Sequence, residues 1–271
     1  MIDPKPGIYA DISNEEYHKG PGVSKSALDE IHRSPAHYRA SLLFPRPETP
    51  ALVMGSAIHA AVLEPDLFEA RYIAAPVIDR RTSAGKAAWG EFQMSAAGRI
   101  ILTQEQMDAA CAARDAVYAN RMAANLLRGG KAEQSVYWEE SVDGETVLCK
   151  CRPDYLRAED GIVVDLKTTA DARSEQFLHS VTNYRYYVQN AWYERGIGEE
   201  VGTVRNFVFL AVEKEPPYGI GIFTLPDDFI DMGIYAAMAD LRTYARCKAA
   251  DHWPCYEEEV QVLEAPKWFK G

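Results

Sequence analysis

No stretch of this 271-residue sequence approaches the ~18 consecutive apolar residues of a membrane-spanning helix. The opening MIDPKPGIYADISNEEY lacks the charged-then-apolar layout of an export signal, so the expectation is a cytoplasmic protein. Cysteine is scarce: five residues, an odd number scattered along the chain, make no disulfide framework and are read as reduced thiols. Basic residues are outnumbered 29 to 40, for a net charge of −11. That balance argues against a protein that coats polyanions over its whole surface, but leaves room for a local basic channel. There is no internal repeat and no low-complexity segment.

What is present is ordinary globular composition, 47% hydrophobic and 25% charged, enough to bury a substantial core. Residues 1–50 are broken by Pro and Gly and are expected to hold short helices: one capped by Ser24, and one opened by Ser34 with Pro35 at its first position. PRPETP (45–50) reads as a loop, ALVMGSAIHAAVLEP (51–65) as an apolar helix, and RTSAGK (81–86) as an exposed mobile loop. Helices are expected over 86–97 and 103–127. From 131 to 169 the pattern turns to strand-length pieces punctuated by Asp143-Gly144 and Asp160-Gly161, an antiparallel meander of about four strands. Helices over 172–180 and 184–195, strands over 203–214 and 218–225, and a long helix from Pro226 to about Ala249 complete the reading. The order predicts an α+β fold with a central mixed sheet. The expected organisation is one domain: residues 1–50 a helical elaboration, 51–250 the core, and 251–271 a tail packed on the surface.

The stretch CRPDYLRAEDGIVVDLKTTA (151–170) places Asp154, Asp165 and Lys167 in what reads as sheet core. A two-residue Asp160-Gly161 turn would set Asp154 opposite Lys167, with Asp165 diagonal to it on the same face. Two carboxylates so close repel unless a cation joins them, and oxygen ligands suit Mg²⁺ or Mn²⁺. Two acids and a lysine beside a divalent ion are what phosphodiester hydrolysis needs. A satisfied structural ion cluster accounts for the same three residues. Two further groups bear on the choice. Gly55, Ser56 and His59 share a helix face, and so do Gln189 and Tyr193.

Taken together, Asp154 followed by Asp165-Leu166-Lys167, flanked by Gly55-xxx-His59 and Gln189-xxx-Tyr193, resembles the RecB-like branch of the PD-(D/E)xK nuclease superfamily. The wording GIYADISNEEYHKGPGVSKSALDEIHRSPAHYRA, followed by GSAIHAAVLEP, resembles the exonuclease VIII (RecE) nuclease domain. The resemblance implies a restriction-endonuclease-like fold with metal ligands at Asp154, Asp165, the Leu166 carbonyl and His59. It makes Lys167 the catalytic lysine and gives Gln189 and Tyr193 substrate-contacting or orienting roles. Glu133 stands where related nucleases carry an acid, although an exposed strand-start glutamate is the better account of it. Also implied are a Mg²⁺-dependent exonuclease (Mn²⁺ as substitute) that degrades the 5′ strand of duplex DNA, a ring-shaped homo-oligomer such as a tetramer, and a RecT-type annealing partner in prophage recombination; water activated by such a metal leads to the expectation that activity rises at alkaline pH. RecE proteins are long, and the resemblance here is to their nuclease part. The alternatives carried are a catalytically silent DNA-end or annealing-protein adaptor and a structure-specific endonuclease of the same fold. Cys149, Cys151, Cys247 and Cys255 do not have the spacing of the iron–sulfur cluster found in some RecB-like nucleases, so no cluster is expected. Arg80, Arg81 and Lys86 are candidate DNA-backbone contacts, and Tyr184, Tyr186 and Tyr187 candidates for base stacking or core.

Overall fold

The computed structural model describes residues 3–44, 47 and 49–265. Its N-terminal third is built from short capped pieces: β1 (Gly7–Tyr9), α1 (Asn14–Lys19), α2 (Lys25–Arg33), α3 (Pro35–Leu43), α4 (Pro50–Leu63) and α5 (Pro65–Arg71). Ser24 caps α2 by accepting the Ala27 N–H at 3.3 Å. Ser34 works twice, closing α2 through its backbone N–H to the Glu30 carbonyl and opening α3 through its hydroxyl. Pro35, Pro50 and Pro65 each open a helix, where a missing N–H costs nothing. Of the expected loop 45–50, residues 45, 46 and 48 lie outside the described residues.

Next come β2 (Tyr72–Ala74), α6 (Ser83–Ser95), β3 (Ile100–Leu102), α7 (Gln104–Ala119) and α8 (Arg121–Leu126). Here two expectations are corrected. RTSAGK is not a mobile loop: Thr82 caps α6 by accepting the Gly85 N–H at 3.0 Å, and Gly85 is buried. The long helix expected over 103–127 breaks at Asn120, whose side chain accepts the N–H groups of Met122 and Ala123 and starts α8 afresh.

The remaining elements are β4 (Lys131–Ala132), β5 (Ser135–Val142), β6 (Glu145–Cys151), β7 (Tyr155–Arg157), β8 (Ile162–Thr169), α9 (Ser174–Asn183), α10 (Tyr186–Val201), β9 (Asn206–Glu213), β10 (Ile220–Phe223) and α11 (Asp227–Ala250). They make a five-stranded mixed sheet, order β10-β9-β8-β7-β4, in which β8 and β9 run parallel and the other neighbours antiparallel. The expected four-strand meander is split. β5 and β6 pair with β1 in a separate three-stranded sheet, and the chain changes sheet across Arg152-Pro153-Asp154. Pro153 has no N–H for a ladder, so the β6 pairing stops there. The Asp143-Gly144 turn is the expected two-residue type, with φ of 51° and 85°.

The Asp160-Gly161 turn is longer than expected. Arg157 pairs with Ile162 and Tyr155 with Val164, so four residues make the loop. The Arg157–Asp160 ion pair and the Asp160 N–H donated to the Arg157 carbonyl close it. Asp154 therefore stands level with Asp165, not Lys167. The slip is two residues, an even number, so all three charges remain on one face.

Both faces of β8 and β9 are covered. Val163, Phe207 and Phe209 pack towards α10 and α11, whereas Val164, Leu166, Val208 and Leu210 pack towards α4 and α7. α10 runs through Gly196 and Gly198, where the sequence reading stopped it, because Gly196 gives room to Trp138 of β5. An alanine Cβ at Gly196 would come within 2.3 Å of the Trp138 ring, whereas at Gly198 nothing lies within 4 Å. Of the C-terminal tail, Trp253 packs on Tyr38 and Tyr244, whereas Val260, Val262 and Leu263 are exposed, so the expected packing is seen only near its start; residues 266–271 lie outside the described residues.

Gly196→Ala should lower the unfolding free energy by about 1–3 kcal/mol through overpacking. Gly198→Ala, a helical site with open space, should raise it by about 0.4–1 kcal/mol. Urea unfolding of the two variants measures both.

Candidate active site

Asp165 and Lys167 point from one face of the middle strand into the layer beneath α10. Asp165 is 1% exposed, so its charge must be met by protein. Its Oδ1 accepts a hydrogen bond from Gln189 Nε2 at 2.5 Å, and its Oδ2 lies 2.5 Å from Lys167 Nζ. Lys167 Nζ also donates to Gln189 Oε1 at 2.9 Å. The Gln189 amide thus closes a ring of three groups, its nitrogen turned to the carboxylate and its oxygen to the ammonium. The face of Tyr186 covers the same ammonium, 4.5 Å from Nζ to the ring centroid.

Asp154 enters from the crossing between the two sheets. Its Oδ2 accepts the Leu166 N–H at 2.7 Å, and its backbone carbonyl accepts the Glu133 N–H at 3.1 Å. His59 approaches from α4, on the opposite side of the sheet, with Nδ1 3.7 Å from Asp154 Oδ2, beyond hydrogen-bond range. Gly55, one turn earlier, brings α4 near the end of β8, where an added Cβ would meet Thr168 at 3.5 Å. Glu133 sits in a left-handed conformation, φ 53°, and turns its carboxylate towards Arg152 at 3.7 Å. Tyr193 lies one helical turn beyond Gln189 and packs edge-on against Phe207.

These groups border a cleft of about 880 Å³. Its walls carry His59, Glu133, Asp154, Lys167, Gln189 and Tyr193, with Asp165 buried beneath. The far wall is the N-terminal segment, held by Lys150 near the end of β6 and by Arg152 just past it. Lys150 Nζ donates to the carbonyls of Tyr17 and Gly20 at 2.6 and 2.7 Å. The Arg152 guanidinium donates to Ile12 and Asn14, and to the Glu133 carbonyl at 2.9 Å. Lys25, paired with Asp29 at 2.7 Å, and Arg71, paired with Glu64, also line it, so cations and acids are nearly balanced there, whereas acids outnumber bases 40 to 29 in the chain.

The electrostatics show acids crowded together. Burial first, then the charges of Asp165 and Glu133, push the Asp154 carboxyl well above the ordinary carboxylate range. Burial likewise raises Glu133 to about 7 against the pull of Arg152. Burial and the nearby Lys167 lower His59 to about 4, leaving its imidazole neutral and able to ligate at pH 7. For Lys167, burial works downward, but Asp165 and Asp154 outweigh it and raise the ammonium above the ordinary lysine value. Among the described residues, no three His, Cys, Asp or Glu side chains are gathered closely enough to hold a metal unaided. The oxygen-rich donor set and the mutual repulsion around Asp154 nevertheless fit a divalent cation held chiefly by Asp154 and Asp165. A cation there removes the repulsion.

The sequence reading placed Asp154, Asp165, Lys167, His59, Gln189, Tyr193 and the lower-ranked Glu133 in the site, and the structure brings all of them to this cleft. Glu133 is half-buried, not an exposed strand start. Arg80, Arg81 and Lys86 do not line it: Arg81 pairs with Asp79, and Arg80 lies over Trp89. Of the three tyrosines, Tyr184 is exposed, Tyr187 packs on Phe229, and Tyr186 alone borders the cleft. Lys150 and Arg152 were missed, though two cations at alternate positions beside the apolar run Val147–Cys149 were there to be seen.

Gln189→Leu keeps the size of the side chain but strips Asp165 of its donor. Stability should fall by about 1–3 kcal/mol, read from urea unfolding, while Ser56→Ala on the rim should stay within about 0.5 kcal/mol. In EDTA, His59 favours folding most when neutral. Its folded value of about 4 lies below the ordinary 6.5, so stability is full above pH 6.5 and is lost as pH falls towards 4. His59→Gln should flatten that slope in unfolding measured from pH 7 to 4.

No curated protein matches the chain. The solved structure described as "Putative exonuclease" from Eubacterium rectale has the same fold, with a TM-score of 0.63 at 15% identity over 94% of each chain. SSO0001 has a TM-score of 0.39 at 11% identity, over 82% of this chain and 76% of that one, too low to carry an argument. A mixed sheet flanked by helices, together with the match of residues 24–266 to a PDDEXK-like family, makes the described fold restriction-endonuclease-like. With residues 24–266 matching it, the chain belongs to the family described as the PDDEXK-like domain of unknown function, DUF3799.

Proposed function

We propose that this chain is a Mg²⁺-dependent exodeoxyribonuclease of the RecE type, which degrades the 5′ strand of linear duplex DNA and leaves 3′ single strands for annealing. The observation that carries the reading is the convergence of Asp154, Asp165 and Lys167 on one face of the middle strand, with Gln189 bridging the last two. A structural ion pair needs one acid and one base. Here a second, repelled acid opens on a cleft lined by further cations.

Asp154 and Asp165 would hold the metal, with the Leu166 carbonyl, His59 and Glu133 at its margin. The metal, when bound, supplies charge neutralisation at the phosphate and a more acidic water. Lys167 presents an ammonium to the developing negative charge, and Gln189 fixes where that ammonium sits. Tyr193 and the cleft cations contact the strand being cut. The partners under this reading are duplex DNA ends, a RecT-type annealing protein and further copies of the chain in a ring such as a tetramer. One domain carries the whole site, and the setting is cytoplasmic.

The test is purified protein with linear duplex DNA labelled at either 5′ or 3′ ends, in Mg²⁺ or EDTA. Mononucleotides should be released from the 5′-labelled strand in Mg²⁺ and not in EDTA, and Lys167→Ala should lower the rate about 10²–10³-fold or more. DNA binding without turnover would instead support an adaptor, and cutting of closed circles an endonuclease.

A further inference from the structure

Among the described residues, Asp165, Gln189 and Tyr186 surround the Lys167 ammonium. Asp165 and Gln189 meet it edge-on, and the Tyr186 ring lies across it at 4.5 Å. That ring is not loose cleft lining. It stacks on Phe209 at 5.8 Å with planes 24° apart, and Phe209 is the cross-strand neighbour of Asp165. It also packs on Phe177.

The residue before it explains why the ring is held. Arg185 caps α10 in a left-handed conformation, φ 54° and ψ 43°, which a side chain bearing a Cβ adopts at a cost. Two ion pairs hold it there: Nη1 to Asp29 of α2 at 3.0 Å and Nη2 to Asp240 of α11 at 2.5 Å. The guanidinium is buried, so breaking either pair would strand a charge. Three helices are thus locked at the first residue before Tyr186. The start of α10 carries the ring and, one turn on, Gln189, both on the face turned to Lys167. Strain that three elements over-determine, directly beside a charged site, is the kind that positions a functional group.

We propose that Tyr186 is a positioning residue, whose ring face holds the Lys167 ammonium in the cleft and is itself fixed by the Arg185–Asp29–Asp240 lock. This rests on the reading of Lys167 as the catalytic lysine. Asp165 and Gln189 hold the ammonium only edge-on, and the ring closes the side they leave open. The ring attracts the cation through its π-face and asks nothing of the carboxylate. The hydroxyl plays no part, so phenylalanine should serve where leucine does not.

Two measurements test this. The first compares Tyr186→Leu with Tyr186→Phe in DNA degradation. Leucine should lower kcat about 3- to 30-fold with KM for duplex DNA within about twofold, and phenylalanine should restore most of the loss. Equal activity in the leucine variant, or equal loss in both, overturns the proposal. The second needs no activity: a double-mutant cycle of Tyr186→Leu with Lys167→Met, read as urea midpoints. The leucine substitution should shift the midpoint less when Lys167 is already gone. Simple additivity overturns the inference whatever the enzyme does. Coupling in the cycle from a wild-type protein that degrades no DNA would overturn the nuclease reading and leave the ring's hold on the ammonium intact.

Discussion

The fold is arranged around one costly object, an ion pair sunk into the middle of a sheet. Asp165 is almost wholly out of solvent, and a carboxylate in such a place is tolerated only with strong partners. Its strand must therefore be flanked by strands that fix its height, and α10 must lie across it so that the Gln189 amide meets both charges. Every other part of the site is placed relative to that pair. Asp154 is hung on the Leu166 N–H between the paired residues, and His59 is brought over the sheet edge by α4.

The change of sheet at Arg152-Pro153-Asp154 is what makes room for the chemistry. Had β6 run on into β7, Asp154 would have been one more ladder residue beneath α10. Because the chain steps from one sheet to the other, the carboxylate lies at the junction of two sheets, and Lys150 and Arg152 project from the last turn-free stretch before it. Those two cations hold the N-terminal segment opposite, so the cleft has a wall where a bare sheet edge would have none.

Much of this was legible in the sequence, and the failures have physical causes. Caps at Ser24 and Ser34, Pro35 at a first helical position and the Asp143-Gly144 turn are local, and they were read correctly, whereas Pro50 was read as loop and Pro65 as the end of a helix, although each opens one. The Asp160-Gly161 turn was misread because the Arg157–Asp160 pair that lengthens it is an interaction, not a residue preference. The error moved the register by an even number, so the charges stayed on one face. Gly196 was taken as a helix end because its partner, Trp138, is far away in sequence. RTSAGK was taken as a loop because the Thr82 cap hides among residues that suit loops. Motif spacing picked out residues that converge on the cleft; Tyr186 was singled out only as a base-stacking or core candidate, since aromatic residues near a helix start carry no distinguishing pattern.

The wall of the cleft comes from residues near 10–26, its floor from 150–193, and the cations that join them from a strand between. Contacts so distant along the chain are late in folding, because each closes a long loop before it is rewarded. A ribosome-bound chain missing its last hundred residues would lack Gln189 and Tyr186, and its two aspartates would stand open to solvent. Such a precursor carries Asp154, Asp165 and Lys167 but not their arrangement, so the cleft is completed only when α10 emerges and packs across them.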